Sequence, residues 1–196
     1  VNKLKLPTGK QFLNGELVLH TNNGYTLIPY SLNRVNDFYG SLGHSKLWYP
    51  YYRGNAVIDS IARAKDHLER RIDECQNGNR FPWMIADEND QIVGMISLMD
   101  ISSFHNHATI SRIAVSPDFQ KKGIACAAIH AVMKWAFEEA GFHRLEADVS
   151  MKNHASRRCF EKLGFAREGV RKEDMWCADG WHDMAIYGMT EGMFTG

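Results

Sequence analysis

No cysteine pair of the C-x-x-C type occurs in this 196-residue chain; its four cysteines, Cys75, Cys126, Cys159 and Cys177, are scattered. Scattering of this kind predicts reduced thiols and a cytoplasm-like compartment. Net charge is also missing. The 23 basic residues match 23 acidic ones, which removes the bulk attraction that nucleic acid or an anionic membrane would use. No apolar run approaches membrane-spanning length. The opening Val1-Asn2-Lys3-Leu4-Lys5-Leu6-Pro7 lacks the apolar core of a secretory signal, although a first residue other than methionine leaves the natural start unfixed. Internal repeats, linkers and low-complexity tracts are absent. What remains is an ordinary globular composition, 44% apolar and 23% charged, at about the size of one domain.

The informative content is concentrated between Ile110 and Ala140. A short apolar strand breaks at Ser116-Pro117, crosses a polar turn from Asp118 to Gly123, and becomes an amphipathic helix. The first turn of a helix presents N–H groups with no intrahelical partner at the positive end of the dipole, which makes an anion site. Gly123 lets a ligand approach the backbone, and Ile124, Ala125 and Cys126 do not block it. Lys121 and Lys122 add charge. The Lys-[Ser/Thr] pair of a Walker loop is missing, so the turn suits a diphosphate held mainly by main chain. Spacing alone equally allows a solvated connection into a helix.

In chain order, residues 1 to 15 are polar and broken by Gly and Pro, which predicts an irregular arm ahead of a single domain over 16 to 196. Glu16–His20 and Tyr25–Tyr30 read as strands around a Thr21-Asn22-Asn23-Gly24 turn. Ser31 is placed to cap a helix from Leu32 to about Leu42. The aromatic-rich loop Leu47–Arg53 reads equally as acceptor-pocket lining and as a lid on the core. Ile58, Ile61, Ala62, Lys65, Leu68, Ile72 and Cys75 follow helical spacing, predicting a helix from about Ala56 to Gln76 that Asn77-Gly78 closes. Strands are expected at Phe81–Ala86 and Gln91–Met99, then a polar loop from Asp100 to His107. Next come a strand at Thr109–Ser116, a helix at Gly123–Ala140, a strand at His143–Ser150 and a short helix at Ala155–Leu163. Strands at Ala166–Trp176 and His182–Met189 close the chain. This order argues for a mixed α/β sheet with helices on its faces and a right-handed parallel crossover in the middle.

Gln120-Lys121-Lys122-Gly123-Ile124-Ala125 resembles the Q/R-x-x-G-x-G/A signature of the GCN5-related N-acetyltransferases, where this turn binds the pyrophosphate of acetyl-CoA. Asn153 to Phe165 reads N-x-x-S-x-R-x-x-E-K-L-G-F. Alone, Asn153 and Ser156 are ordinary helix-capping residues. The pattern nevertheless resembles the ribosomal-protein-alanine N-acetyltransferase branch of that superfamily. The likeness runs on through Glu168-Gly169 and Gly180 to Asp183 and Tyr187, and is loose in the first half of the chain. It implies a central, mostly antiparallel twisted sheet with a parallel strand–helix–strand cofactor unit. It also implies transfer of acetyl from acetyl-CoA to a primary amine in a ternary complex, by a monomer or homodimer without metal. The foremost acceptor is a protein or peptide N-terminus; small amines such as amino acids, polyamines and aminoglycosides are alternatives. Carried over by position, Ile113, Ala114 and Val115 offer main-chain bonds to pantetheine, and Gln120 through Cys126 hold the diphosphate. Asn153 bonds pantetheine, and Ser156 sits near the thioester sulfur or helps hold the cofactor. The branch's Gly-Tyr-Trp-type stretch is replaced here by Ser111-Arg112-Ile113-Ala114-Val115, which unsettles the acceptor more than the cofactor.

The chemistry needs a neutral amine; an α-amine with pKa about 8 is easier to use at neutral pH than a lysine amine at about 10.4. Ser156 is the first candidate for assisting the departing thiolate and Tyr187 the second, Tyr187 reading equally as a core residue with its hydroxyl satisfied. Base candidates are Asp100, His105 and His107 before the central strand, and Glu146 and Asp148 on the next one. Asp183 reads as catalytic or structural, and Trp176, Trp181 and His182 as the border of an acceptor cleft or a cover on the sheet edge. His105-x-His107 lacks a third metal ligand placed by sequence. A non-catalytic acyl-CoA sensor and a transferase of longer acyl groups are the competing functions. If the turn at Gly123 holds the diphosphate, Gly123→Asp weakens acetyl-CoA binding at least tenfold, about 1.4 kcal/mol. Calorimetry on the folded variant is the check; unchanged affinity would refute the placement.

Overall fold

The computed structural model describes residues 3–43 and 57–196; the aromatic loop Leu47–Arg53 lies outside the described residues. Apolar alternation builds the strands. In the sixth of them Leu145, Ala147 and Val149 are buried while Arg144, Glu146 and Asp148 reach toward solvent. The strands are β1 (Leu19–His20), β2 (Thr26–Pro29), β3 (Arg80–Ala86), β4 (Ile92–Ser102), β5 (His107–Val115), β6 (Arg144–Ser150), β7 (Ala166–Cys177) and β8 (Gly180–Thr190). They form one eight-stranded sheet in the order β1-β2-β3-β4-β5-β6-β8-β7. Every neighbouring pair is antiparallel except β5 and β6, whose connection passes through a helix. The mixed, mostly antiparallel sheet expected from the sequence is therefore the observed one.

The helices are α1 (Gly9–Gln11), α2 (Val35–Leu42), α3 (Ile61–Gln76), α4 (Ile124–Lys134, continued as π-helix through Trp135–Ala140) and α5 (His154–Lys162). Side-chain oxygens start most of them: Thr8 and Gln11 form a capping box at α1, Ser60 caps α3, and Asn153 caps α5. Ser31 caps the 3-10 turn Leu32–Arg34 that leads into α2. The two faces of the sheet are covered separately. On one, α4 and α5 pack with Trp83, Ile85, Ile96, Ile110, Leu145 and Tyr187. On the other, α2 and α3 pack Phe38, Ala64 and Leu68 against Met84, Met95 and Ala114.

Three expectations change. First, the arm read over residues 1 to 15 contains helical turns, Gly9–Gln11 and Phe12–Glu16, built into the core. Phe12 is fully buried with its ring 4.9 Å from Phe81 and 5.1 Å from Trp83. A Cβ on Gly9 would collide with the backbone of Cys75 and Gln76, so only glycine permits that contact. Second, α3 begins at Ile61 rather than Ala56, and its buried stripe is Ala64, His67, Leu68 and Cys75, with Ile61 half exposed. The Ser60 cap fixes the start, and the stripe is turned from the one the apolar residues suggest. Third, the loop Asp100–His107 shrinks because β4 runs to Ser102 and β5 starts at His107.

Phe12→Ala removes an aromatic from a closed cluster, so it is expected to lower the unfolding free energy by about 3 kcal/mol or more. Urea unfolding measures this; a change below about 1 kcal/mol would mean that the arm is not part of the core.

Candidate active site

Between β5 and β6 the sheet opens. The strands pair only at His107–Arg144, Ala108–Leu145 and Thr109–Glu146. Beyond Thr109, β5 stays with β4 as far as Val115, while β6 follows β8 as far as Ser150. A register shift in β5 lies at the parting: Arg112 and Ile113 fall between the pairs Ser97–Ser111 and Met95–Ala114, and Arg112 has φ 55°. A bulge bends its strand and raises local twist, which carries β5 away from β6. Strand N–H and C=O groups alternate between the two edges, so about half of those over Ile110–Val115 face the opening. The cleft made in this way has a volume of about 1260 Å³, and Ile113, Ala114 and Val115 line it.

At one mouth of the cleft sits the start of α4. The chain turns through Pro117–Phe119, Lys121 adopts φ 64°, and Gly123 at φ 75° precedes the helix. No side chain caps α4, unlike α1, α3 and α5, so its first N–H groups stay available. A Cβ at Gly123 would meet nothing within 4 Å, so the space before the helix is open. Gln120, Lys121, Gly123, Ile124, Ala125 and Cys126 line the cleft. Gln120 also donates from Nε2 to the Val115 carbonyl at 3.2 Å, tying the turn to the end of β5. Lys122 is not among the lining residues; its Nζ lies 4.7 Å over the Phe119 ring.

The other flank is α5. Asn153 Oδ1 accepts from the Ser156 N–H at 3.1 Å, so the capping role is real, and both residues line the cleft. The cap uses the carbonyl end of the Asn153 amide and leaves its NH2 end for a ligand. Cys159 on α5 and Cys126 on α4 form a disulfide with Cα atoms 5.6 Å apart. The structure therefore bridges two of the four cysteines expected as reduced thiols; Cys75 and Cys177 lie outside that bridge, both buried.

Tyr187 does not line the cleft. It is fully buried on the α4 face, stacked 5.9 Å from Phe160, and its hydroxyl donates to Glu161 Oε1 at 2.7 Å. Burial, then the Glu161 carboxylate, push its phenol above the usual range. Tyr187 is a core residue with a satisfied hydroxyl. Among the base candidates, Asp148 lines the cleft, whereas Asp100, His105, His107 and Glu146 do not. His107 opens β5 where it is still paired with β6, and His105 stacks on it at 5.9 Å. No group of three metal-ligating side chains occurs among the described residues. Asp183 takes Lys172 Nζ at 2.7 Å and the Glu173 N–H at 2.9 Å, closing the bulge in β7.

A chain of polar groups escaped the sequence reading. Ser150, buried at the end of β6 and lining the cleft, lies 2.8 Å from Nδ1 of buried His182. His182 Nε2 is 2.6 Å from Asp179 Oδ1, and Lys152 Nζ is 2.9 Å from Asp179 Oδ2. Lys152, then His182, hold the Asp179 carboxyl below its ordinary range. An ionised carboxylate only accepts, so His182 Nε2–H donates to Asp179, and in the neutral imidazole Nδ1 accepts from the Ser150 hydroxyl. The Lys152 N–H at 3.2 Å takes one lone pair of Ser150 Oγ, and the other remains for a donor in the cleft.

Residues 45–165 match the profile of the acetyltransferase (GNAT) family. The probable N-acetyltransferase YjcK of Bacillus subtilis (strain 168) is 30% identical over 170 residues, 87% of this chain and 83% of that protein. The spermidine N(1)-acetyltransferase of Escherichia coli (strain K12) is 26% identical over 111 residues, 57% of each chain. In structure, the chain resembles the ribosomal L7/L12 α-N-protein acetyltransferase RimL in complex with coenzyme A, with TM-score 0.77 and 19% identity, over 89% of this chain and 98% of that one. No described helix is long and apolar enough to cross a membrane.

Because Tyr187 is structural, Tyr187→Phe is expected to cost about 1 kcal/mol in urea unfolding, from the lost bond to Glu161. Coenzyme A binding, followed by calorimetry, should be unchanged; a large loss of affinity would return Tyr187 to the site.

Proposed function

Since this chain belongs to the acetyltransferase (GNAT) family, we propose that it transfers acetyl from acetyl-CoA directly to a primary amine held in the β5–β6 cleft, with a peptide N-terminal α-amine or a small amine as acceptor. The observation that carries this reading is the uncapped start of α4 at the mouth of a cleft with a free strand edge. Acetyl-CoA supplies an acetyl group activated as a thioester. The amides of Gly123 through Cys126 take the diphosphate, with Lys121 adding charge. The open edge of β5 from Ile113 to Val115 accepts and donates main-chain bonds along the pantetheine arm, and the Asn153 amide adds one more. An amide N–H at the bulge polarises the reacting carbonyl, an arrangement effective because the strand is fixed in advance.

Two hydroxyls divide the proton traffic. Ser150 Oγ accepts the proton leaving the amine and passes its own to His182 Nδ1; Asp179 stabilises the imidazolium that results. Ser156 Oγ donates a hydrogen bond to the departing thiolate, which takes its proton from solvent. The order differs from a serine-hydrolase triad, in which Nε2 faces the serine. Here Nδ1 does, and Ser150 is a relay rather than a nucleophile. Asp148 is already engaged by Arg171 Nη2 at 2.5 Å, which leaves the Ser150 chain as the better base.

Release of free CoA with a panel of amines tests the reading. Tight acetyl-CoA binding with no turnover on any amine would make the chain a sensor instead. Ser150→Ala is expected to lower kcat about 10²-fold while leaving acetyl-CoA affinity intact. Ser156→Ala should reduce kcat more than cofactor affinity; equal losses would leave Ser156 as a contact only.

A further inference from the structure

One wall of the cleft is basic, and nothing in the transfer described above uses it. His67, Arg70, Arg71 and Glu74 recur at helical spacing and so share a face of α3. His67, Arg70 and Arg71 line the cleft, as does Arg112 at the bulge. α3 packs on the sheet face opposite α4, so this wall is not where the diphosphate goes. Glu74 alone serves two guanidiniums, Arg71 Nη1 at 2.8 Å and Arg80 Nε at 2.5 Å. Arg70 pairs with Asp66 on the exposed side of the helix.

Buried polar atoms are left over. Nε2 of His67, Nε of Arg71 and Nη1 of Arg80 have no hydrogen-bond partner among the described residues. His67 is only 8% exposed and lines the cleft. Burial, reinforced by Arg71, Arg112 and Arg70, pulls its imidazole down to about 3, so it is neutral at pH 7. Burial and the neighbouring Arg80 also lower the Arg71 guanidinium. A buried Arg71 Nε–H without an acceptor costs free energy that an anion seated at this wall would recover. The carboxylates that line the cleft, Asp148 and Asp174, stand on its other wall and are both taken by Arg171, at 2.5 and 3.1 Å. A polycation would find no open acidic partner there.

We propose that the acceptor is a primary amine bearing a carboxylate, which seats against His67, Arg71 and Arg112 while its nitrogen reaches the β5–β6 opening. This rests on the transferase reading. Either a free amino acid with an acidic side chain or a peptide that begins with an acidic residue supplies this chemistry, because both place a carboxylate a few bonds from the amine.

The test compares kcat/KM for glutamate, Glu-Ala-amide, Gln-Ala-amide and spermidine, by CoA release. Glu-Ala-amide is expected to exceed Gln-Ala-amide at least tenfold, and spermidine by more. Comparison of glutamate with Glu-Ala-amide then separates the two sources. Arg112→Gln, binding acetyl-CoA normally, should bring the Glu/Gln ratio within about threefold of unity. Binding is read without turnover by titrating N-acetylglutamate and its neutral diamide into the CoA-bound protein; the acid is expected to bind at least tenfold tighter. Equal or reversed charge preference in the wild-type protein, in turnover or in binding, overturns the inference. Amines acetylated without that preference would leave the transferase reading standing. Preference for the acid with no turnover would sink that reading and keep the anion site.

Discussion

The parting of β5 from β6 is the constraint on which the other features depend. Three paired positions hold the strands together, and a bulge at Arg112–Ile113 ends the pairing. A continuous sheet would satisfy more backbone groups, so the opening has a cost that must be offset elsewhere. Here the offset comes from the two covered faces. α4 and α5 hold one side and α2 with α3 the other, and both halves of the sheet keep their remaining partners. Rigid flanks around an unpaired edge make a slot whose polar groups are aimed before any ligand arrives, and preorganisation of this kind is what acyl transfer rewards.

Polar resources are distributed unevenly around that slot. The mouth at α4 offers main-chain N–H groups and exposed lysine charge, suited to an anion that is itself well hydrated. The far wall on α3 and the bulge offers guanidiniums and a neutral buried histidine. Between them, at the end of β6, lies the dry Ser150–His182 pair anchored by Asp179. Two positive regions bracket the Ser150 hydroxyl. In the proposed reading, a nucleotide thioester and an acidic amine would meet there from opposite faces of the same sheet.

Features written in contiguous residues were legible in the sequence. The turn into α4 needs only the break at Pro117 and the glycine at 123, and the Asn153 cap is a local pattern. The strand alternation of β6 was equally plain. Features made by distant partners were not. The bulge is a mismatch between β4 and β5, and neither strand alone carries it. Ser150 and His182 meet because β6 and β8 are neighbours, although 32 residues separate them in the chain. Tyr187 read from the sequence as either an acid or a core residue with a satisfied hydroxyl, and the period-two alternation through Ala185, Tyr187 and Met189 places it on the apolar face. On α3 the spacing of His67 and Arg71 was visible, but apolar residues alone pointed the helix the wrong way; a buried stripe carrying His and Arg defeats a rule that scores only hydrophobicity.

Cys126 and Cys159 join the head of α4 to α5 across the slot, and both line it. Their Cα separation of 5.6 Å lies in the ordinary range for a bridge, so whether the link is closed follows the surrounding thiol pool. A reducing agent in a purification buffer therefore selects between two covalent forms of the protein, one with its flanking helices tethered and one with them untied. Reductant concentration belongs beside pH and ionic strength among the variables that define a sample.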